Sequence, residues 1–533
     1  MCDVVRRFAL GLMFVVFLVP ASASGQSGPS GQAPPGEPAA TVRRMSVDEA
    51  VKLALEQNLS LQVQRLDPQL QDLGIAQVKT AWTPVLSSTI SDSSSTSPVS
   101  NFFSGAANQL VNDRFGLSVQ ANQQLPTGGN YNVTWNNSRA KSNSVFDSPN
   151  PSLGANLSAT FTQPFLRNFK IDGTRQQLLI SRKNREMTDV QLREAVLTTV
   201  RNVKNAYWDL AYAVENLKVQ QQSLDIARES LRNNTSRVNI GTMAPIDIIE
   251  AEAEVARNEE SVIVAEAQIT RSEDALRQLI FDTKDPDFWT TRFELTDPPT
   301  FRAQEVDVNA AVKNALDKRT DLVNMRKNLE ASDINIRYFK NQALPDVNVQ
   351  AGYGLAGQGG TAYQFTDTFP PVPISVIDTG YGTVLSRMFS NDFHNWSLAV
   401  TVGYPIGKSN AEAGLARAKV SYRQSELQMR ALELSIATQV REVARTLNTN
   451  RKRVDATRVS RELAERKLEA EQKKFQAGMS TNFLVIQAQR DLAAARNAEL
   501  QAILDYNRSL VDFETVQEAP VNGGGISLAT ASR

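Results

Sequence analysis

The chain has 533 residues, and its 57 basic and 57 acidic side chains give a formal net charge of zero. A balanced charge offers no basic surface to nucleic acid, so no nucleic-acid partner is predicted. With a single histidine, His394, and a single cysteine, Cys2, the chain nearly excludes Ser/His, Cys/His and histidine–metal sites. We therefore predict no catalytic residue, no metal site and no cofactor, and we do not expect an enzyme.

Residues 1–23 are predicted to be a secretory signal peptide. Two arginines precede an apolar run from Phe8 to Pro20, and the Ala-Ser-Ala stretch that follows has the small residues of a cleavage site. The run is shorter than the roughly 20 apolar residues of a transmembrane helix, although a retained N-terminal anchor is the alternative. Residues 24–44 are rich in Gly, Pro and Ser and predict a flexible linker, and residues 517–533 predict a flexible C-terminal tail.

An internal repeat organises the rest of the chain. The matching segments are AVKLALEQNLSL (50–61) with AVKNALDKRTDL (311–322), NLSATFTQP (156–164) with SLAVTVGYP (397–405), and RVNIGTM (237–243) with KFQAGMS (474–480). Such self-similarity predicts two copies of one structural unit, at residues 45–281 and 306–516. Residues 282–305 are polar and rich in proline, and they predict an irregular connector.

Each copy is predicted to contain very long helices. A first helix of roughly 35 residues ends at Pro84 or Pro345. From Val196 to Val238, apolar side chains recur in alternating steps of four and three residues, which is typical of a left-handed coiled coil. A helix from about Leu178 to Val238 is roughly 90 Å long at 1.5 Å per residue. Such helices need packed neighbours along their whole length.

Residues of about 84–164 and 345–405 are predicted to form β-strands with one apolar face. In the stretches 115–121, 131–135, 153–161 and 396–404, apolar residues share one face, and mostly Gly, Asn, Gln, Ser and Thr lie between them. These strands fit a membrane β-barrel with lipid outside and water inside, and a soluble half-buried sheet is the alternative. The first copy has room for four strands, whereas the second has two evident strands. GYGLAG (352–357) spells a dinucleotide motif, but a predicted loop rather than a helix follows it, which argues against a nucleotide site.

A glycine interrupts the long helical pattern once in each copy, at Gly241 and Gly478. Glycine adopts the left-handed conformation that ends a helix, and Pro245 suits the first turn of the next helix. Each glycine therefore predicts a tip at which the chain reverses into a second long helix.

The two copies, the proline-flanked strands and the paired tips NIGTMAPIDIIEAEAEVARNEE and QAGMSTNFLVIQAQRDLAAARN resemble the TolC family of outer-membrane efflux proteins over residues 45–516. The resemblance implies an α+β membrane protein that forms a homotrimer. Its strands would build one shared β-barrel in the outer-membrane lipid, and its helices a coiled-coil tunnel through the periplasm. It also implies two further partners, a periplasmic adaptor and an inner-membrane pump of the proton-driven or ABC type.

The resemblance further implies that six tip residues contact the adaptor: Ile240, Gly241, Thr242, Ala477, Gly478 and Met479. A plain helix reversal is the alternative. Family members carry acidic residues six and nine positions after a tip glycine, which are Asp247 and Glu250 in the first copy but Leu484 and Gln487 in the second. Asp247 and Glu250 are thus a candidate pore gate that favours cations. Acidic residues at a helix start also stabilise the helix dipole, which is the alternative role.

The function predicted from these features is a passive exit duct of a tripartite efflux or type I secretion system, located in the outer membrane and extending into the periplasm. The alternative is a periplasmic or cell-surface coiled-coil scaffold or adhesin without a pore. Amphipathic strands in both copies favour the duct, because a scaffold does not need them. The sequence does not select among drugs, metals, metabolites and polypeptides as cargo.

Overall fold

The computed structural model describes residues 42–99, 109–144, 146–281, 289, 291–367, 372–407 and 409–518. The predicted signal peptide, residues 24–41 of the predicted linker and residues 519–533 of the predicted tail lie outside the described residues. In chain order the elements are β1 (Val42–Met45), α1 (Val47–Gln57), α2 (Leu59–Gln64), α3 (Asp67–Lys79), β2 (Val85–Pro98), β3 (Gln109–Gln124), β4 (Asn130–Ser142), β5 (Ser152–Pro164), α4 (Gly173–Asn239), α5 (Ile246–Ile280), β6 (Arg292–Leu295), α6 (Val308–Lys318), α7 (Thr320–Gln342), β7 (Asp346–Phe365), β8 (Pro373–Thr379), α8 (Tyr381–Phe389), β9 (His394–Gly403), α9 (Asn410–Gln476) and α10 (Asn482–Gln517).

The two halves of the chain follow the same plan of short helices, strands, one very long helix and a return helix. Helices α4 and α9 each have 67 residues, about 100 Å at 1.5 Å per residue, so the predicted long helices are confirmed. Near the sheet the helices neighbour one another in the order α3–α4–α7–α9, and near the tips in the order α5–α4–α10–α9.

The first helical segment of each copy is broken, contrary to the prediction of one helix of roughly 35 residues. In the first copy Asn58 separates α1 from α2, because its Oδ1 accepts a hydrogen bond from Leu61 N (2.9 Å) and its Nδ2 donates to Leu279 O (2.9 Å). Pro68 then lies in the first turn of α3. In the second copy Arg319, with φ −57° and ψ 131°, leaves the helical conformation between α6 and α7.

Strands β1 and β6 form a parallel pair in segments predicted to be a flexible linker and an irregular connector. Met45 and Phe293 point from this pair into a core that also holds Val203, Leu210 and Ile280. A second core lies between α9 and α10, where Ile436, Val440 and Leu447 pack against Tyr506 and Phe513.

A buried tyrosine ties each core to an extended segment. The Tyr207 hydroxyl donates to Met45 O (3.2 Å) and accepts from Asp297 N (3.1 Å). The Tyr506 hydroxyl donates to Arg302 O (2.9 Å) and accepts from Gln304 N (3.1 Å). Each phenol thus satisfies backbone groups that would otherwise be costly to bury.

The strands form an antiparallel sheet in the order β2–β3–β4–β5–β7–β9, and β8 pairs with the end of β7 farthest from the helices. The register places predicted apolar residues in one row: Ala121, Val133, Ala159, Tyr353 and Trp396. The neighbouring row on the opposite face is small or polar: Asn122, Asn132, Thr160, Gly352 and Ser397. The predicted alternation therefore extends across the whole sheet.

Four charges join α4 to α7. Lys183 Nζ lies 3.0 Å from a Glu186 carboxylate oxygen and 2.8 Å from a Glu330 oxygen, and Lys327 Nζ lies 2.7 Å from Glu186. The hydrogen bond from Lys327 lowers the pKa of Glu186, and the bond from Lys183 lowers the pKa of Glu330. The bond to Glu330 raises the pKa of Lys183. The cluster therefore stabilises the folded state at pH values above the lowered pKa values of the glutamates and below the raised pKa of Lys183.

Replacing both carboxylates, Glu186→Gln with Glu330→Gln, is expected to lower the midpoint of thermal unfolding at neutral pH. Since the folded-state pKa values lie below the ordinary glutamate value of about 4.3, the stabilisation is complete above that pH and is lost as the pH falls through the folded-state values. The side chains are partly exposed, so the effect is on the order of 1 kcal/mol or less. The control is Glu426→Gln, which removes an exposed pair with Arg430. Equal losses at neutral and acidic pH would contradict this assignment.

Candidate functional site

The two helix reversals have the same backbone geometry. Gly241 and Gly478 have φ values of 77° and 74°, in the left-handed region that favours glycine. Thr242 N donates to Arg237 O (2.9 Å), and Met479 N donates to Lys474 O (2.8 Å). These bonds satisfy carbonyls at the helix ends in the manner of a Schellman cap, so both predicted tips are confirmed as helix reversals.

The surface of both tips is open and partly apolar. No heavy atom of a neighbouring element lies within 4 Å of a β-carbon placed on either tip glycine. The glycines are therefore required for their backbone conformation and not for lack of space. Ile240 is 73% exposed and Met479 is 74% exposed, and Ile249 and Phe483 are also exposed. Such apolar side chains at the end of a long helical hairpin are available to another protein.

The structure brings the two tips together side by side. Asn234 Nδ2 donates to Asn482 Oδ1 (2.8 Å), and both side chains are buried. The Arg237 guanidinium lies 4.7 Å from the centre of the Phe475 ring, a distance suited to a cation–π contact. The six predicted tip residues thus belong to one continuous end of the molecule.

A third polar link joins the hairpins deeper in the bundle. Arg490 of α10 donates two hydrogen bonds to one carboxylate oxygen of the buried Glu254 of α5, at 2.6 and 3.0 Å. Arg257 lies 3.3 Å from the same oxygen. The buried carboxylate is thereby compensated, because removing one partner from such a pair leaves an unpaired buried charge. No local sequence pattern reveals this pair, since the two residues are 236 positions apart.

Asp247 and Glu250 lie in the first turns of α5, near the tip. Asp247 is partly exposed and Glu250 is exposed. Neither carboxylate forms an ion pair with another described residue. In the second copy Leu484 is exposed, and Gln487 Nε2 donates to Asp491 Oδ1 (2.9 Å). The acidic pair is therefore confined to one of the two tips.

Both outer edges of the helical layer carry exposed apolar stripes. On α2 and α3 the exposed residues alternate in steps of four and three: Leu59, Val63, Leu66, Leu70 and Leu73. On α9 they recur every seven residues: Val420, Leu427 and Leu434. Both spacings are those of coiled-coil seams, in which such residues pack against a second helix.

Helix α8, which the sequence analysis did not predict, packs on the apolar face of the sheet. Val384 and Met388 lie against Ala155. A β-carbon on Gly357 would approach Val384 O to 2.1 Å, so glycine is required for this contact. The predicted loop after GYGLAG is wrong, because β7 continues to Phe365.

The opposite face of the sheet is polar and hollowed. One hollow is lined by residues that include Gln120, Asn122, Asn132, Thr162 and Asn348. A second, farther from the helices, is lined by residues that include Ser93, Asn112, Arg114, Ser142 and Ser152. Both sets belong to the polar rows, so this face suits contact with water.

No helix within the described ranges is both long enough and apolar enough to cross a membrane.

The sequence model of the outer membrane efflux protein family matches residues 130–280 and 311–516, which is more than half of the chain. The match covers most of both copies and includes both tips. No curated protein sequence matches the chain.

The fold is similar to those of solved channel structures. CusC, described for conformational changes that accompany folding and transmembrane channel formation, shares 15% identity over 89% of this chain and 92% of its own, with a TM-score of 0.63. The outer membrane protein VceC from Vibrio cholerae shares 15% identity over 89% of this chain and 97% of its own, with a TM-score of 0.60. The MtrE outer membrane channel of Neisseria gonorrhoeae shares 15% identity over 90% of each chain, with a TM-score of 0.59.

The family match favours the exit duct over a scaffold or adhesin without a pore. The long paired helices and the amphipathic sheet give the fold that such a duct requires. The chain belongs to the outer membrane efflux protein family and is an exit duct of an efflux system, placed in the outer membrane and extending into the periplasm.

Proposed function

We propose that three copies of this chain close into one channel, with a shared β-barrel in the outer membrane and a helical tunnel in the periplasm. The observation that carries this proposal is that the open edges of the sheet and of the helical layer lie on the same two sides of the chain. Since α3 leads into β2 and β9 leads into α9, one side of the chain ends in α3 and β2 and the other in β9 and α9. A ring of copies joins these two sides around its whole circumference. The number three comes from the family resemblance.

The apolar stripes on the two edges overlap in their distance from the sheet. Asp72 of α3 pairs with Arg185 of α4 (3.0 Å), and the four-charge cluster links the adjoining turn of α4 to Lys327 of α7. Arg319, which precedes α7, donates to Gln439 of α9 (2.8 Å). Because α7 and α9 are antiparallel, these contacts place Leu70 and Leu73 of the α3 stripe near the level of Leu427 and Leu434 on α9. A head-to-tail contact between copies buries both stripes, and such contacts close into rings.

Two carboxylates in the α3 stripe, Leu70→Glu with Leu73→Glu, are expected to convert most of the trimer to monomer. Burial of an unpaired charge in an apolar seam strongly opposes association. The measurement is the native mass of the detergent-solubilised channel. The control, Gln69→Glu, adds a carboxylate to an exposed position of α3 outside the stripe. A stable trimer in the double variant would contradict this interface.

The tips are proposed to receive the periplasmic adaptor, which connects the duct to its inner-membrane pump. Support comes from the joined hairpins and from the exposed Ile240 and Met479. Residues Gly241, Thr242, Ala477 and Gly478 complete the contact. The duct itself is passive, and the pump supplies the energy and selects the cargo.

Ile240→Asp with Met479→Asp is expected to weaken adaptor co-purification at least tenfold and to abolish export. Both side chains are largely exposed, so the folded trimer should persist. A second variant, Gly241→Glu with Gly478→Glu, places a bulky charge on the same surface. The control is Gln69→Glu, which places a carboxylate at an exposed position of α3 far from the tips. Export and co-purification that survive both tip variants would contradict adaptor docking.

Asp247 and Glu250 are proposed to gate the tunnel end by charge. Three copies place six carboxylates near the constriction, which favours cations over anions. Their lack of ion-pair partners among the described residues leaves the charges available to passing ions. Leu484 and Gln487 contribute no charge, so the first tip alone carries the gate.

Asp247→Asn with Glu250→Gln is expected to lower the cation-to-anion permeability ratio several-fold in a planar bilayer. The control is Glu252→Gln, which removes an exposed carboxylate from the opposite side of α5. An unchanged ratio in the double variant would leave these residues only their role at the helix start.

A further inference from the structure

We propose that the β2–β3 hairpin is part of the barrel wall, so that β2 of one copy pairs with β9 of the next and three chains of six strands close an eighteen-stranded barrel. This inference rests on the proposed trimer. It specifies which edges meet in the membrane and how wide the barrel becomes.

The hairpin is an addition to the repeated plan. Among the described residues, the first copy has four strands between α3 and α4, whereas in the second copy β7 and β9 alone extend the sheet sideways between α7 and α9. The family match begins at residue 130, so β2 and β3 precede the matched residues. The hairpin is therefore a feature that neither the second copy nor the family match accounts for.

The hairpin is integrated into the sheet along its full length. Strand β3 pairs continuously with β4 from Asn112–Ser142 to Gln124–Asn130. Strand β2 pairs with β3 from Val85–Asn122 to Pro98–Gln109. A flap folded away from the wall would not share this unbroken register.

The turn between β3 and β4 is fixed against the start of the helical layer. Leu125 N donates to Gly129 O (2.7 Å), and Gln163 Nε2 of β5 donates to Thr127 O (3.2 Å). Gly128 has a φ of 87°, and a β-carbon there would lie 2.4 Å from Asn168 O, between β5 and α4. This turn therefore belongs to the junction between sheet and helices.

Strand β2 continues the polar face of the sheet along its length and the apolar face in its first half, where Leu86 and Ile90 flank Ser88; from Ser91 onward it is polar on both faces. On the apolar face Leu86 and Ile90 lie opposite Ala121 and Leu117, and both are more than 70% exposed. On the polar face Ser87 and Thr89 lie opposite Gln120 and Ser118. An exposed apolar row beside a polar row is the pattern of a strand between lipid and a water-filled lumen.

The strand directions permit β2 of one copy to pair with β9 of the next. Strand β2 leaves the helical layer and β9 returns to it, so the two edges are antiparallel when neighbouring copies meet. With 14 and 10 residues, both strands reach the 9–11 residues that a membrane-spanning strand needs. Lipid does not tolerate an open sheet edge, so β2 and β9 must both be paired.

An eighteen-stranded barrel encloses an aqueous channel wide enough for bulky polar solutes. Without the hairpin, three chains would supply twelve strands, and the diameter would be about two-thirds as large because it scales roughly with strand number. The polar rows are mostly uncharged, so the wall discriminates little. Within the duct, any discrimination by size and charge is thereby left to the tips.

Cysteine cross-linking in the full-length channel tests the seam. Thr89→Cys on β2 is combined in turn with cysteine at the polar-face positions of β9, which are Asn395, Ser397, Ala399 and Thr401, in a Cys2→Ser background. A disulfide requires β-carbons roughly 3.5–4.5 Å apart, so scanning four positions covers the unknown register. The matched set combines Thr134→Cys on β4 with the same four β9 positions. Isolated outer membranes are treated with an oxidant, and cross-linked dimers and trimers are detected on a denaturing gel. The native mass of the solubilised channel measures the trimer independently.

We expect at least one β2–β9 pair to give cross-linked chains in more than tenfold excess over every β4–β9 pair. Cross-links between β4 and β9 would overturn the inference, because the hairpin would then lie outside the wall. A native trimer without any β2–β9 cross-link would also overturn it and leave the proposed channel standing. A monomeric mass would overturn the proposed trimer and this inference with it.

Discussion

The backbone groups along the outer edges of β2 and β9 have no strand partner among the described residues, and this constraint determines what the rest of the molecule must do. A sheet in lipid has to close, since the membrane provides no water for unpaired N–H and C=O groups. The helices also need a partner at the same two edges, because α3 and α9 expose apolar coiled-coil stripes there. The proposed closure between neighbouring copies would satisfy both requirements.

The two apolar cores and the tips are held together by different kinds of contact. In the cores, buried Tyr207 and Tyr506 satisfy backbone groups, which fixes the short strands and loops against the long helices. Near the tips, the contacts between hairpins are polar: Asn234 with Asn482 and Glu254 with Arg490. Polar contacts depend strictly on geometry, so they define the alignment of the hairpins more sharply than apolar packing of similar extent.

The long helices, the tips and the two faces of the sheet could be predicted because each depends on local periodicity. Gly241 and Gly478 interrupt regular heptads, and the φ values explain why glycine is needed there. Helix α8 could not be predicted from the sequence because it is short. The residue it packs on, Gly357, lies in a glycine-rich strand whose sequence is typical of a loop. The β1–β6 pair and the Glu254–Arg490 link depend on partners more than 200 residues apart, which no local pattern reveals. The roles of the tips and of Asp247 and Glu250 stay predictions.

The two tips differ in what surrounds the second of the two gate positions. In the first copy, α5 lies at an edge of the chain's tip-proximal layer, next to α4, whereas in the second copy α10 lies between α4 and α9. Gln487 is accordingly partly buried, whereas Glu250 is exposed. The side chain of Gln487 donates a hydrogen bond to Asp491 one turn along α10. A glutamate in its place would face that carboxylate, and like charges four residues apart destabilise a helix. The proposed charge gate therefore rests on the first copy.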